Sequence, residues 1–155
     1  MLKKKQKPDK TAYANAIRLL AMREHSELQL YKKLQQREFD ETEIGEAIER
    51  LKSENYLSDS RFAEAYLRTR KNKLYGPVKI RLELEERGVS GGIIATVMEQ
   101  DCDQLAHDWF AVMQQAYDRK YAEREADDYS EKIKRCRYLQ SRGFESSHIT
   151  ELIKL

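Results

Sequence analysis

The chain has 155 residues, of which 40% are hydrophobic and 36% charged, with only 6 Gly and 2 Pro. So charge-rich and turn-poor a composition excludes a β-sandwich or barrel of this length and points to an all-α protein. Five lysines against Asp9 give the first ten residues +4, which leaves −2 for the rest of a chain whose total is +2, so the body lacks the overall positive field of a DNA-coating protein.

The lysine-rich start, Lys3 to Lys10, is interrupted by Pro8 and reads as a solvated, disordered tail over residues 1–10. A first helix is expected from about Thr11 to Met22, with Ile17, Leu20 and Ala21 on one stripe. Ser26-Glu27-Leu28-Gln29 fits a capping box opening a second helix that runs to about Gln36. Asp40 then caps a third, Glu41 to Glu54. The next helix starts near Ser60 and runs to about Asn72. Gly76-Pro77 opens the following one, since proline at the first helical position loses no needed N–H. Gly88 closes it, and Ser90 caps its successor. A longer helix is expected over Asp103–Tyr121, then a charged link from Glu123 to Asp128, then Ser130–Arg142, Gly143 and a last helix to the C-terminus.

These elements are one unit written three times. Leu34, Leu84 and Leu139 stand in register, followed by Arg37, Arg87 and Arg142, then by Phe39, Val89 and Phe144. Farther on come Ile44, Ile94 and Ile149, then Ile48, Met98 and Ile153; upstream, Leu28, Val78 and Ile133 coincide. The reading is three tandem three-helix, helix-turn-helix-like repeats over residues 11–57, 58–101 and 102–155, forming an elongated, curved array. One segment conflicts locally, because Val78 to Glu85 alternates apolar and charged like a half-buried strand. Its counterpart places Ile133, Cys136 and Leu139 three apart, which suits a helix, and the Gly-Pro start and Gly stop agree.

Catalytic and cofactor motifs do not emerge. His25, His107 and His148 are scattered one per repeat, no phosphate-cradling glycine loop occurs, and Gly91-Gly92 reads as a flexible helix start. The expectation is a protein that is not an enzyme and takes no cofactor or metal. Cys102 and Cys136 form no CxxC pair, and Cys136 falls among apolar helix positions as a buried small hydrophobe. With no apolar run near the ~20 residues of a membrane span and no secretory signal, a cytoplasmic protein with reduced thiols is expected.

The binding candidates are cations. Between residues 68 and 81 stand Arg68, Arg70, Lys71, Lys73, Lys79 and Arg81 with no acid among them, preceded by Arg61 and interleaved with Tyr66 and Tyr75. Such a cluster suits a phosphate backbone or an acidic protein groove. Lys132, Lys134, Arg135 and Arg137 occupy the equivalent helix of the third repeat, and Lys32, Lys33 and Arg37 that of the first. Against these, Glu38 to Glu49 carries six acids and no base, so the surface is polarised.

The second repeat also carries a resemblance. Tyr56-Leu57-Ser58-Asp59-Ser60-Arg61-Phe62-Ala63, then Arg68-Thr69-Arg70, Tyr75-Gly76-Pro77, Glu83-Leu84 and Arg87-Gly88-Val89 resemble the signature of the RecX family of bacterial RecA regulators. Ala16 to Ala21, His25-Ser26-Glu27, Arg119-Lys120-Tyr121 and Ser130 to Phe144 extend the resemblance over about Tyr13 to Leu155. Ala122 stands where the family often has glycine. The resemblance implies a small cytoplasmic protein, a monomer, that binds RecA or its DNA filament. It would suppress RecA's ATPase, strand-exchange and co-protease activities in recombination and the SOS response, touching DNA weakly or through the filament. An autonomous helix-turn-helix DNA-binding protein is the alternative.

Overall fold

A computed structural model describes residues 11–102 and 108–155, in which every regular element is helical. The helices run α1 (Ala12–Met22), α2 (Glu27–Gln36), α3 (Glu41–Ser53), α4 (Asp59–Asn72), α5 (Pro77–Glu86), α6 (Gly91–Cys102), α7 (Trp109–Tyr121), α8 (Tyr129–Ser141) and α9 (Ser146–Ile153). The basic N-terminal segment, the helix start expected at Asp103 and His107 lie outside the described residues.

Local chemistry sets most of the boundaries. Ser26 accepts from the N–H of Gln29 while the Gln29 side chain returns to the Ser26 N–H, completing the capping box. Asp40 caps α3 as expected. Two caps differ from the expected starts: Ser58 accepts from the N–H of Arg61, so α4 begins at Asp59, and Asp128 accepts from that of Glu131, so α8 begins at Tyr129. In each case a side-chain oxygen just upstream takes one of the orphan N–H groups of the first turn. Asp108 likewise caps α7 at Trp109.

The segment with strand-like alternation is helix α5. Ile80 and Leu84, one turn apart, are fully buried, whereas Val78 and Leu82 are 41% and 54% exposed. Two apolar stripes on opposite sides of one helix mimic a period of two, and only one of them faces the core.

The three units are joined by one repeating contact between their middle helices. The N-cap of α2, Ser26, donates its hydroxyl to the carbonyl of Arg87, the C-cap of α5, at 2.7 Å. The N-cap of α5, Gly76, donates its N–H to the carbonyl of Arg142, the C-cap of α8, also at 2.7 Å, and Val78 N–H reaches the carbonyl of Gly143 at 2.9 Å. Each middle helix thus sets its positive N-terminal end on the negative C-terminal end of the next. The contact explains a difference inside the repeat. Gly88 and Gly143 have φ of +80° and +92°, and a Cβ on either would strike Leu28 or Lys79 of the preceding unit. Glu38 holds the same position in the first unit at φ +67° and is exposed, with no other unit packed on it among the described residues.

Apolar side chains fill three clusters. The first is built wholly from residues 12–57, with Leu30, Leu34, Ile44 and Leu51 fully buried. The other two exchange members: Trp109 of α7 packs with Phe62, Ile80 and Val97, while Leu74, just past α4, packs with Met113, Leu139 and Ile149. Cys136 is buried in the third cluster, and burial pushes its thiol up in pKa.

Candidate interaction surface

The basic residues singled out in the sequence divide into those that hold the fold and those that face outward. Arg70 spans α4 and α5, donating from Nη2 to Glu83 Oε1 at 2.8 Å and lying 3.8 Å over the ring of Tyr75. Tyr75 is covered on its other account by Arg142, whose guanidinium lies 3.9 Å from the ring centroid and donates to the carbonyls of Lys73 and Leu74. Tyr66 donates its hydroxyl to Glu83, and burial, with that carboxylate beside it, pushes its pKa up to about 12. Burial works on Glu83 in the upward direction too, but the bonds from Tyr66 and Arg70 hold it below the usual carboxylate range.

Lys71 is 7% exposed; its ammonium pairs with Asp101 at 2.7 Å and sits 4.3 Å over the Trp109 ring. Arg135 is 3% exposed. Its guanidinium is shared among Glu131, the Tyr117 hydroxyl and the carbonyls of Arg124 and Glu125, and stacks on Tyr121 at 4.3 Å. That network pins the link between α7 and α8, which leaves the helix through Ala122 at φ +52°, a backbone better suited to glycine. Arg61 bridges the first and second units through Glu24 at 3.1 Å and Asn55 at 2.9 Å. Five of the twelve candidates, Arg61, Arg70, Lys71, Tyr75 and Arg135, are therefore occupied inside the molecule. A buried or bonded cation gives up those partners before it can meet another, at a cost of several kcal/mol when buried.

The remaining seven face solvent to differing degrees. Among the described residues, Arg68, Lys134 and Arg137 are exposed without an ion pair or hydrogen bond from their charged ends, as is the ammonium of Lys73. Lys79 makes a long bond to the Ser141 carbonyl at 3.4 Å with its ammonium 5.2 Å from the Tyr75 ring centroid, Lys132 a bond to the Lys154 carbonyl at 3.5 Å, and Arg81 a loose pair with Glu145 at 3.7 Å. Lys79, Arg81, Lys134 and Arg137 lie on α5 and α8, the middle helices that meet end to end. Beside them the exposed Val78 and Leu82 border a groove of about 500 Å³ reaching Gln140, Ser141 and Gly143.

Several residues of this arrangement were not separable by pattern alone. Arg142 and Arg87 appear in the repeat register, yet nothing in their spacing tells that Arg142 reaches back to the previous unit. Glu83 and Asp101 read as ordinary surface acids until the fold sets them against Arg70 and Lys71. Among the described residues no helix is long and apolar enough to cross a membrane.

Comparison with known proteins agrees with this architecture. Family models described as the first, second and third three-helix domains of RecX match residues 12–51, 58–98 and 107–153 in that order. A regulatory protein RecX of Legionella pneumophila (strain Corby) is 35% identical over 143 residues, covering 92% of this chain and 93% of the relative. Its counterpart in Pseudomonas entomophila (strain L48) is 36% identical over 138 residues, covering 89% and 86%. A crystal structure of regulatory protein RecX superposes with a TM-score of 0.77 at 24% identity, covering 92% of this chain and 71% of that one. RecX from Lactobacillus salivarius gives a TM-score of 0.73, also at 24% identity, covering 92% of both chains.

Proposed function

The chain belongs to the RecX family, and from that premise we propose that it regulates a RecA-type recombinase by binding the RecA–DNA filament and lowering its ATP hydrolysis, strand exchange and co-protease activity. The observation that carries this reading is the match of all three three-helix domains, in order, to regulatory proteins of that name. The surface supports it physically. A filament offers protein and phosphate at once, and a chain of joined units can touch several filament subunits. The proposed contacts are Arg68, Lys73, Lys134 and Arg137, whose charged ends are unpaired among the described residues, and the loosely held Lys79, Arg81 and Lys132, with Val78 and Leu82 as apolar contacts.

Regulation here needs no chemistry of its own. Association that favours one filament state over another shifts ATP turnover by its differential affinity. A second reading, a helix-turn-helix protein acting on DNA alone, draws support from the same cations, but the net charge of about −2 outside the first ten residues weakens it.

The test is a titration of the protein against RecA on single-stranded DNA with ATP, beside a gel-shift series on naked DNA over salt. The proposal expects the ATPase rate to fall and naked-DNA binding to be weak near physiological salt. An unchanged ATPase rate at stoichiometric excess rejects it. Tight binding to naked DNA with no effect on RecA selects the second reading.

A further inference from the structure

Where the first two units meet, a groove of about 570 Å³ stays open between α2, α3 and the end of α5. Its floor is apolar, formed by Leu28, Tyr31 and Ile48, and its rim is acidic, with Glu27, Glu49 and Asp59. Two details mark it as unfilled. Gly45 sits in the interior of α3, where glycine is unfavourable relative to alanine, yet a Cβ there would meet nothing within 4 Å. Asp59 is partly buried in the rim with a single bond from the Glu27 N–H at 2.8 Å, and burial raises its pKa. Lys52 pairs with two of these rim acids, Glu27 at 3.1 Å and Glu49 at 3.6 Å.

We propose that this groove seats the chain's own lysine-rich N-terminal segment, residues 1–10. The segment matches it in chemistry: Met1 and Leu2 are apolar, and Lys3, Lys4, Lys5 and Lys7 follow. Reach also fits. The described chain starts at Thr11, and the next residue, Ala12, donates its N–H to Glu43 Oε1 at 3.0 Å, beside the first turn of α3. From there the segment must cross only the outer face of α3, about 10–12 Å wide. Ten extended residues span up to roughly 33 Å. That outer face presents the exposed acids Glu41, Glu46 and Glu49. Tethering holds the lysines at an effective concentration on the order of millimolar, so a weak site suffices. Neither an unrelated basic partner nor a second copy has this advantage.

Full-length protein is used for the test. Zero-length carbodiimide cross-linking at low salt, read by mass spectrometry, should join Lys3, Lys4, Lys5 or Lys7 to Glu46, Glu49 or Asp59. The amide resonances of Gly45, Glu49 and Gly88 should shift when Lys3, Lys4 and Lys5 are changed to Glu. Gly45→Leu, whose side chain enters open space, should abolish the cross-links to Glu49 and Asp59; high salt on the unaltered chain should do the same without any mutation. Cross-links spread evenly over acids throughout the chain, or resonances indifferent to the lysine changes, overturn the proposal. So do shifts that depend on protein concentration, which assign the groove to a second copy.

Discussion

The two junctions between units use the same helix ends and are built from different material. At the junction of the second and third units, main-chain N–H groups of Gly76 and Val78 enter the C-terminal end of α8, Arg142 clasps two carbonyls and the Tyr75 ring, and Trp109 and Leu74 are exchanged between cores. At the junction of the first and second, one hydroxyl, from Ser26, replaces the main-chain donor. The rest is the Glu27 N–H to Asp59, the contacts of Arg61 with Glu24 and Asn55, and an open groove. Half-exposed ion pairs contribute roughly 0–1 kcal/mol each and weaken with salt, whereas each apolar side chain fully buried across a boundary contributes roughly 1.5–3 kcal/mol. The second and third units therefore act as one body, with the first attached more loosely.

The largest expected effect comes from breaking the tight junction where its backbones touch. Gly76→Ala drives a Cβ into the Gly143 carbonyl, and a loss of about 3 kcal/mol in urea unfolding is expected. Gly91→Ala, with open space around it, should stay within about 0.5 kcal/mol of the parent and serves as control. Next, Arg142→Ala removes the bonds to Lys73 and Leu74 and half of the Tyr75 stack. It should cost about 2 kcal/mol, and amide exchange in α4 and α8 should rise more than in α1. The first unit should respond oppositely. Glu38→Gly relieves an exposed residue held at φ +67°, and a gain of up to about 1 kcal/mol is expected in the same unfolding assay.

The smallest effect sharpens the comparison on the loose side. His25, 1% exposed in the link between α1 and α2, donates through Nδ1 to the Arg23 carbonyl and leaves Nε2 without a partner. Burial holds its pKa below the ordinary value against the opposing bond to the Arg23 carbonyl, with the Arg23 and Lys33 charges adding to the lowering and Glu24 opposing it. The unfolded chain thus takes up the proton first as pH falls through about 6.5, so stability, fully present above that, declines toward the lower folded-state pKa and then levels. A urea midpoint that drops between about pH 7.5 and about pH 5.5, and does so less in His25→Gln, is the expected result. Asp59, raised by burial, works in the opposite sense at lower pH.

Much of this was legible in the sequence for a physical reason: caps and periodicity are local. Ser26, Asp40, Gly76-Pro77 and Gly143 each act within one turn of the backbone, so their helices could be placed before any contact was known. The repeat register marked the junction residues as well, since Gly88 and Gly143 stand where Glu38 does, although the reason for the substitution needs the neighbouring unit. What stayed hidden was long-range. Arg70, Lys71 and Arg135 look like Arg68, Lys134 and Arg137 along the chain, and only the arrival of Glu83, Asp101 and Tyr117 from distant elements separates bonded cations from free ones. Val78 and Leu82 misled for the converse reason, because an exposed apolar stripe has no counterpart in a pattern that equates apolar with buried.

The central claim is that the outward-facing cations of the second and third units engage a RecA–DNA filament. Its most direct test is RecA ATPase on single-stranded DNA, with the parent protein beside a variant in which Arg68, Lys73, Lys134 and Arg137 are changed to Glu and whose circular dichroism matches the parent. Strong suppression by the parent and at least about a tenfold higher concentration needed by the variant, equivalent to about 1.4 kcal/mol, is the predicted outcome. Equal suppression by both proteins would contradict the account.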